Sequence, residues 1–242
     1  MVVGGSAGVG RALCEELARV GCDLVIGARS AEDLDAVSAD LRTRHSVAVA
    51  PLPIDLCGPA DTVARYVDEC FTALGEIDAV LIPAGAVDDA DDGTAPAPVT
   101  TMLVETNFLG VATLAGGFVE RFEKQGRGTI VLFSSIAAAA PRGSNVVYGS
   151  AKAALEHYGR ALQHRLAGGD VRVQIYALGY VDTAMNAGRR LLLPPADPRR
   201  IARTVVDRLD SDRRFTYLPR YWRPVVFALR RLPWRIYRRL SF

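Results

Sequence analysis

Three glycines at fixed spacing, Gly4, Gly8 and Gly10, stand between a very short apolar start (Met1-Val2-Val3) and a helical pattern from Arg11 to Val20 that stops at Gly21. Strand, glycine loop and helix in that order constrain the fold more than any other stretch. Glycines let a backbone come close to a pyrophosphate, and the helix that follows presents unpaired N–H groups and the positive end of its dipole. Ser6 and Val9 lie within the loop and count among its candidate contacts. A plain glycine turn is the bland alternative, and the spacing differs from the Gly-x-Gly-x-x-Gly of other dinucleotide folds.

Downstream, apolar runs at residues 23–27, 47–52, 77–82, 129–134, 171–176 and 214–218 alternate with helical patterns at 31–44, 60–74, 99–124 and 148–166. Asp197 is placed to cap a last helix running to about residue 209. Strands alternating with helices predict one parallel sheet covered on both faces. A length of 242 residues suits one large α/β domain, residues 1–218, followed by a tail, residues 219–242.

The chemistry concentrates between Ser135 and Lys152. Tyr148 and Lys152 are four apart at the start of a helical pattern and share one face. A phenol titrating near ~10 is a poor acid at neutral pH, and an adjacent ammonium favours its phenolate form. Ser135, at the tip of a strand, is placed to hold a carbonyl oxygen while Tyr148 gives it a proton. That is machinery for interconverting a ketone and a secondary alcohol. With only two lysines and eight tyrosines in the chain, a chance Tyr-x-x-x-Lys pair is expected roughly 0.07 times. Asn107, inside a helical pattern, reads as a polar relay behind the lysine or as an indifferent mid-helix residue.

Ligands in doubly wound sheets lie beyond the carboxyl ends of the strands. At the second strand tip Ala28 offers no carboxylate for a ribose 2′-hydroxyl, while Arg29 offers a fork of donors for a 2′-phosphate. NADP is therefore expected over NAD. Asp55-Leu56, at the third tip, either meets the adenine or caps the next helix. Ala84-Gly85 suits close cofactor approach, and Gly179 to Thr183 falls where a nicotinamide would lie.

The net charge of +2 hides a division: seven arginines and no acid in residues 219–242, so −5 over the first 218. Basicity confined to a tail argues against nucleic acid as a partner. Cys14, Cys22, Cys57 and Cys70 lack Cys-x-x-Cys spacing, so four buried thiols in a reducing cytosol are expected, without disulfides or metal. The three histidines have no ligand spacing, and Asp88 to Gly93 reads as a solvated loop. No signal peptide and no long uncharged apolar run are evident, which points to a cytoplasmic location.

Taken together, the chain resembles the short-chain dehydrogenase/reductase family over almost its whole length. Gly4, Gly8 and Gly10 match its glycine motif, Asp55 its adenine-side Asp, and Ala84-Gly85 the end of its Asn-Asn-Ala-Gly. Asn107, Ser135, Tyr148 and Lys152 match its catalytic tetrad, and Val181 and Thr183 the positions that hold carboxamide and phosphate. The resemblance implies a Rossmann fold, hydride transfer with NAD(P), and a homodimer or homotetramer. Val3 in place of a Thr, Ile82-Pro83 in place of Asn-Asn, and Leu178 in place of a Pro depart from the pattern. The short first strand also suggests that the start lies upstream of Met1.

From Tyr217 to Leu240 the ending is similar to a bacterial subgroup containing the decaprenylphosphoryl-2-keto-erythro-pentose reductase, which implies a lipid-linked or amphipathic substrate. The tail interleaves arginines with Trp222, Val225, Val226, Phe227, Leu229, Leu232, Trp234, Ile236, Tyr237, Leu240 and Phe242. Such basic amphipathic helices settle on anionic bilayers, so peripheral contact with the cytoplasmic membrane face is expected over packing on the protein itself. A non-enzymatic nucleotide-binding scaffold is the rival to an NADPH-dependent ketoreductase. The intact tetrad weighs against that rival.

Overall fold

Val2 and Val3 are neighbours in sequence, yet they belong to different apolar clusters. The same division runs along the other central strands. Leu24 and Ile26 face one side and Val25 the other; Val131 and Phe133 oppose Ile130 and Leu132. A pleated strand sends successive side chains to opposite faces. A sheet apolar on both faces must therefore be covered by helices on both.

The computed structural model of the chain describes residues 1–188, 191 and 193–240. Among these, seven strands form one sheet: β1 (Val2–Val3), β2 (Leu24–Ala28), β3 (Val49–Pro53), β4 (Ala79–Ile82), β5 (Gly128–Ser135), β6 (Val171–Leu178) and β7 (Phe215–Leu218). Every pairing is parallel, in the order β3-β2-β1-β4-β5-β6-β7. The order reverses between β1 and β4, and a ligand crevice in such sheets opens at that switch point. This is the doubly wound, Rossmann-type architecture expected from the sequence.

Helices α1 (Gly8–Arg19), α2 (Ala31–His45) and later α7 (Pro198–Val206) cover one face through Leu13, Leu17, Leu34, Leu41, Ile201 and Val205. On the other lie α3 (Ala60–Leu74), α5 (Gly110–Gln125) and α6 (Val146–Arg165), with Val67, Leu114, Phe118 and Leu155 buried. Asp197 caps α7, accepting from the Arg199 amide at 2.8 Å.

The helix expected as continuous over 99–124 is instead three pieces: α4 (Ala97–Val104), a π-helical turn (Glu105–Leu109) and α5. By length and composition residues 97–125 could cross a bilayer. Leu103, Asn107, Val111, Leu114, Phe118 and Phe122 on this rod are buried in the protein, as in the core helix of a folded domain.

The C-terminal segment forms α8 (Trp222–Leu229) and α9 (Trp234–Tyr237). The boundary expected after residue 218 does not mark where the packed core ends. Trp222 and Val226 join Ile136, Ala139 and Tyr180 in a third buried cluster. Two apolar positions that the sequence pattern assigned to a bilayer thus face the protein. Phe227, Trp234, Ile236 and Leu240 remain exposed, and Phe242 lies outside the described residues.

Candidate active site

The glycine loop, which follows β1, lies part-way along a cleft of about 420 Å³ that runs along the carboxyl ends of the strands, with the tips of β2 and β3 on one side and those of β4 to β6 on the other. Gly4 has φ +88°, and a β-carbon there would lie 2.9 Å from the Ala84 Cα. At Gly10 a β-carbon would overlap the Gly4 carbonyl. The floor is bare backbone because side chains do not fit. Ala7, which precedes α1, makes no capping bond through its side chain, and the first turn of α1 holds no acid. Amide donors and a dipole end are left for an anion, so a pyrophosphate suits these residues. Ser6, Gly8 and Val9 line the same part of the cleft.

On the β2–β3 side of the loop the wall carries Ala28 and Arg29, then Asp55 and Leu56; on the β4 side it carries Ala84 and Gly85. Arg29 is exposed at the tip of β2. Of the two readings of Asp55, helix capping fails. Pro59 precedes α3 and makes no side-chain cap, while the Asp55 carboxylate accepts from the Cys57 amide at 3.0 Å within its own loop.

Beyond β4 the cleft is lined by Ser135, Tyr148 and Lys152, and also by Val181 and Thr183, the last so near the glycine loop that a β-carbon on Gly8 would lie 3.2 Å from its Cγ2. The parallel ladder of β5 with β6 pairs Ser135 with Leu178, which brings the two loops level. Ser135 Oγ accepts the Ala137 amide at 3.2 Å, and its own proton remains available for donation.

Lys152 is almost completely buried, and its ammonium donates to the Phe133 carbonyl at 3.1 Å. Burial pulls its pKa from 10.5 down to about 8, because a low-dielectric site disfavours the charged form. Its Nζ lies 5.9 Å from the centroid of the Tyr148 ring. One bond uses one of three ammonium donors.

Asn107 does not line the cleft. It is wholly buried in the π-helical turn behind Gly85. Its amide donates to the carbonyls of Ala86 (2.8 Å) and Leu103 (2.9 Å), and its oxygen accepts the Ala86 amide at 3.2 Å. Asn107 and Lys152 are not bonded to each other; they flank Gly85, whose β-carbon would lie 2.9 Å from Asn107 Oδ1 and 3.4 Å from Lys152 Nζ.

Residues 1–191 match the family model for short chain dehydrogenase. The chain belongs to the short-chain dehydrogenase family. An uncharacterized oxidoreductase of Mycobacterium tuberculosis is 30% identical over 243 residues, covering 99% of this chain and 96% of the relative. One of Streptomyces coelicolor is also 30% identical, over 99% of this chain and 94% of its own. Among solved structures, a short-chain dehydrogenase from Sphingobium yanoikuyae in complex with NADPH is 27% identical, with a TM-score of 0.81 over 94% of this chain and 92% of its own. An alcohol dehydrogenase from Thermococcus sibiricus complexed with 5-hydroxy-NADP is 25% identical, with a TM-score of 0.80 over 90% and 94%. Enzyme class follows from family: an NAD(P)-dependent oxidoreductase.

Three residues of this short-chain dehydrogenase carry structural roles around the site that the sequence did not disclose. Asp91, in the supposedly solvated acidic run, is buried, and its carboxylate accepts the backbone amides of Val147 (2.7 Å) and Tyr148 (2.8 Å). It caps α6 from 56 residues away, where Asn145 in the cap position makes no side-chain bond. Glu156, one turn beyond Lys152, is buried and accepts from Ser134 Oγ at 2.8 Å; burial raises its pKa, partly offset by that bond. Arg142, on the cleft wall, donates to Tyr180 Oη at 3.3 Å. All three contacts join distant segments, so no local spacing announces them. The four cysteines are free, but only Cys14 and Cys70 are buried; Cys22 and Cys57 are half-exposed.

Proposed function

We propose that this oxidoreductase interconverts a ketone and a secondary alcohol with NADP(H), using Tyr148 as proton donor, on an amphipathic or lipid-linked substrate. The observation that carries the reading is the buried Lys152 ammonium, one bond spent on Phe133, opening on the cleft beside Tyr148 and Ser135.

When bound, the reduced nicotinamide supplies a hydride to the carbonyl carbon. Ser135 donates a hydrogen bond to the carbonyl oxygen and fixes its position. Tyr148 transfers its proton to that oxygen as charge develops there. Lys152 stabilises the resulting phenolate, and its remaining donors would hold the ribose hydroxyls of the bound cofactor. Asn107 acts at one remove, holding Ala86 and so the Gly85 loop against which Lys152 packs. Gly4, Gly8, Gly10, Ser6 and Val9 would hold the pyrophosphate, and Asp55 and Leu56 the adenine. Ala84, Gly85, Val181 and Thr183 would line the nicotinamide half.

NADP is preferred to NAD because the exposed Arg29 at the tip of β2 would offer its guanidinium to a 2′-phosphate, and Ala28 supplies no acid. Two of the solved relatives, in complex with NADPH and with 5-hydroxy-NADP, support that choice. The amphipathic substrate rests on the likeness of the ending to the polyprenyl-sugar reductase subgroup. Bacterial lipid extract and a panel of bulky ketones, followed by NADPH absorbance, test the proposal. Tyr148→Phe should lower turnover at least about 100-fold while NADPH affinity stays within a few-fold. A Phe variant that keeps most of its rate would remove Tyr148 as the acid.

A further inference from the structure

Helices α8 and α9 have two unlike faces. The inner face is fastened to the cleft wall. Trp222 packs with Ile136 and Tyr180, both of which line the cleft. Arg230 Nε donates to the Ala139 carbonyl at 3.3 Å, and Tyr237 Oη to the Pro141 carbonyl at 2.6 Å. These bonds hold the stretch immediately before Arg142, which lines the cleft.

The outer face is apolar and basic at once. Phe227 is 59% exposed, Trp234 71%, Ile236 51% and Leu240 41%. All seven arginines of the segment are exposed, and the segment contains no Asp or Glu. The Arg231 guanidinium lies 3.5 Å from the centroid of the Phe227 ring, so charge and aromatic surface are presented together.

We propose that this face docks on an anionic lipid bilayer and sets the cleft wall against the membrane surface. Aromatic and aliphatic side chains ringed by arginine are what an interfacial helix needs: burial below the headgroups and attraction to lipid phosphate. A second copy of the chain is disfavoured, because, Arg230 apart, it would set six arginines against six with no acid in the segment to offset them. Docking stands independently of the reductase reading. Delivery of an amphipathic ketone from the bilayer into the cleft rests on both.

The test uses the full chain, with vesicles of phosphatidylglycerol and phosphatidylcholine against phosphatidylcholine alone, at low and high salt. The protein should sediment with anionic vesicles at low salt and be partly released at high salt. Arg223→Glu/Arg231→Glu/Arg235→Glu should weaken partitioning at least about tenfold. Phe227→Ser/Trp234→Ser should abolish the salt-resistant fraction. NADPH binding, measured on every variant, reports that the fold is intact, and vesicle binding is read without turnover. The chain has two tryptophans, and Trp222 is already buried, so an emission blue shift on adding vesicles reports Trp234. Full-length protein left in the supernatant at low salt overturns the proposal. So does a serine variant that changes the oligomeric size while vesicle retention is unaltered, since a second copy would then cover the face.

Discussion

Gly179 lies so close to Trp222 that a β-carbon on the glycine would overlap Nε1 and Cδ1 of the indole. The strand-end loop that lines the cleft and the C-terminal segment thus share one packing contact. Among the described residues the indole N–H in it finds no hydrogen-bond partner, so the contact there is one of close packing.

Trp222→Ala should therefore cost about 3–5 kcal/mol, the usual range for a buried aromatic truncated to alanine. Gly179→Ala should destabilise the protein too, by expelling the indole. Removal of everything after Pro219 should lower the urea midpoint as Trp222→Ala does, because it strips the same contact. An unchanged midpoint in the truncated chain would show the segment to be detachable.

Arg29→Ala should remove most of a preference for NADPH over NADH that is expected to be at least about tenfold, or ~1.4 kcal/mol. Titration of both nucleotides against both proteins reads the effect directly. Equal affinities in the unmutated protein would refute the NADP assignment.

Lys152 makes stability and function oppose each other. Its folded pKa is depressed to about 8 from 10.5 by burial. Below about pH 8 both states carry the proton, and the folded chain bears the full desolvation cost. As pH rises from about 8 towards 10.5 the folded chain releases the proton before the unfolded one, so the desolvation penalty this group imposes on folding is progressively relieved. Lys152→Met should stabilise the apoprotein at pH 7 by up to about 3 kcal/mol, while cofactor binding and turnover collapse. Thermal unfolding at pH 7 and pH 10 should show the Met variant's advantage shrinking at the higher pH.

The chain's alternation of apolar runs and helical patterns made the sheet legible because a two-sided parallel sheet leaves a strong, local signature. The polar residues at strand tips were legible for the same reason, since Arg29, Asp55, Ser135 and Thr183 follow apolar runs. Contacts closed across the fold were not. Asp91 is one of four similar aspartates in a short run, and nothing local distinguishes the one that caps α6. Trp222 was read with the tail's exposed aromatics because helical periodicity gives a face but not what it meets.

Gly85→Ala should cut turnover by at least about tenfold with a smaller loss of stability. Its β-carbon would press on Asn107 Oδ1 and approach Lys152 Nζ, both held by hydrogen bonds to backbone. Stopped-flow hydride transfer, beside a melting curve, separates misplacement from unfolding.

The π-helical turn at Glu105–Leu109 has one more consequence. An α-helical turn advances about 100° per residue, so a single extra residue in one turn offsets the halves of a rod by that angle. Asn107 can then reach the Ala86 backbone while Val111, Leu114 and Phe118 stay on the sheet. Deleting one residue between 105 and 109 would restore a regular helix and force a choice between the two. Length at this point is thus fixed by rotational phase, and homologous chains that gain or lose a residue here should have to rebuild the Gly85 loop with it.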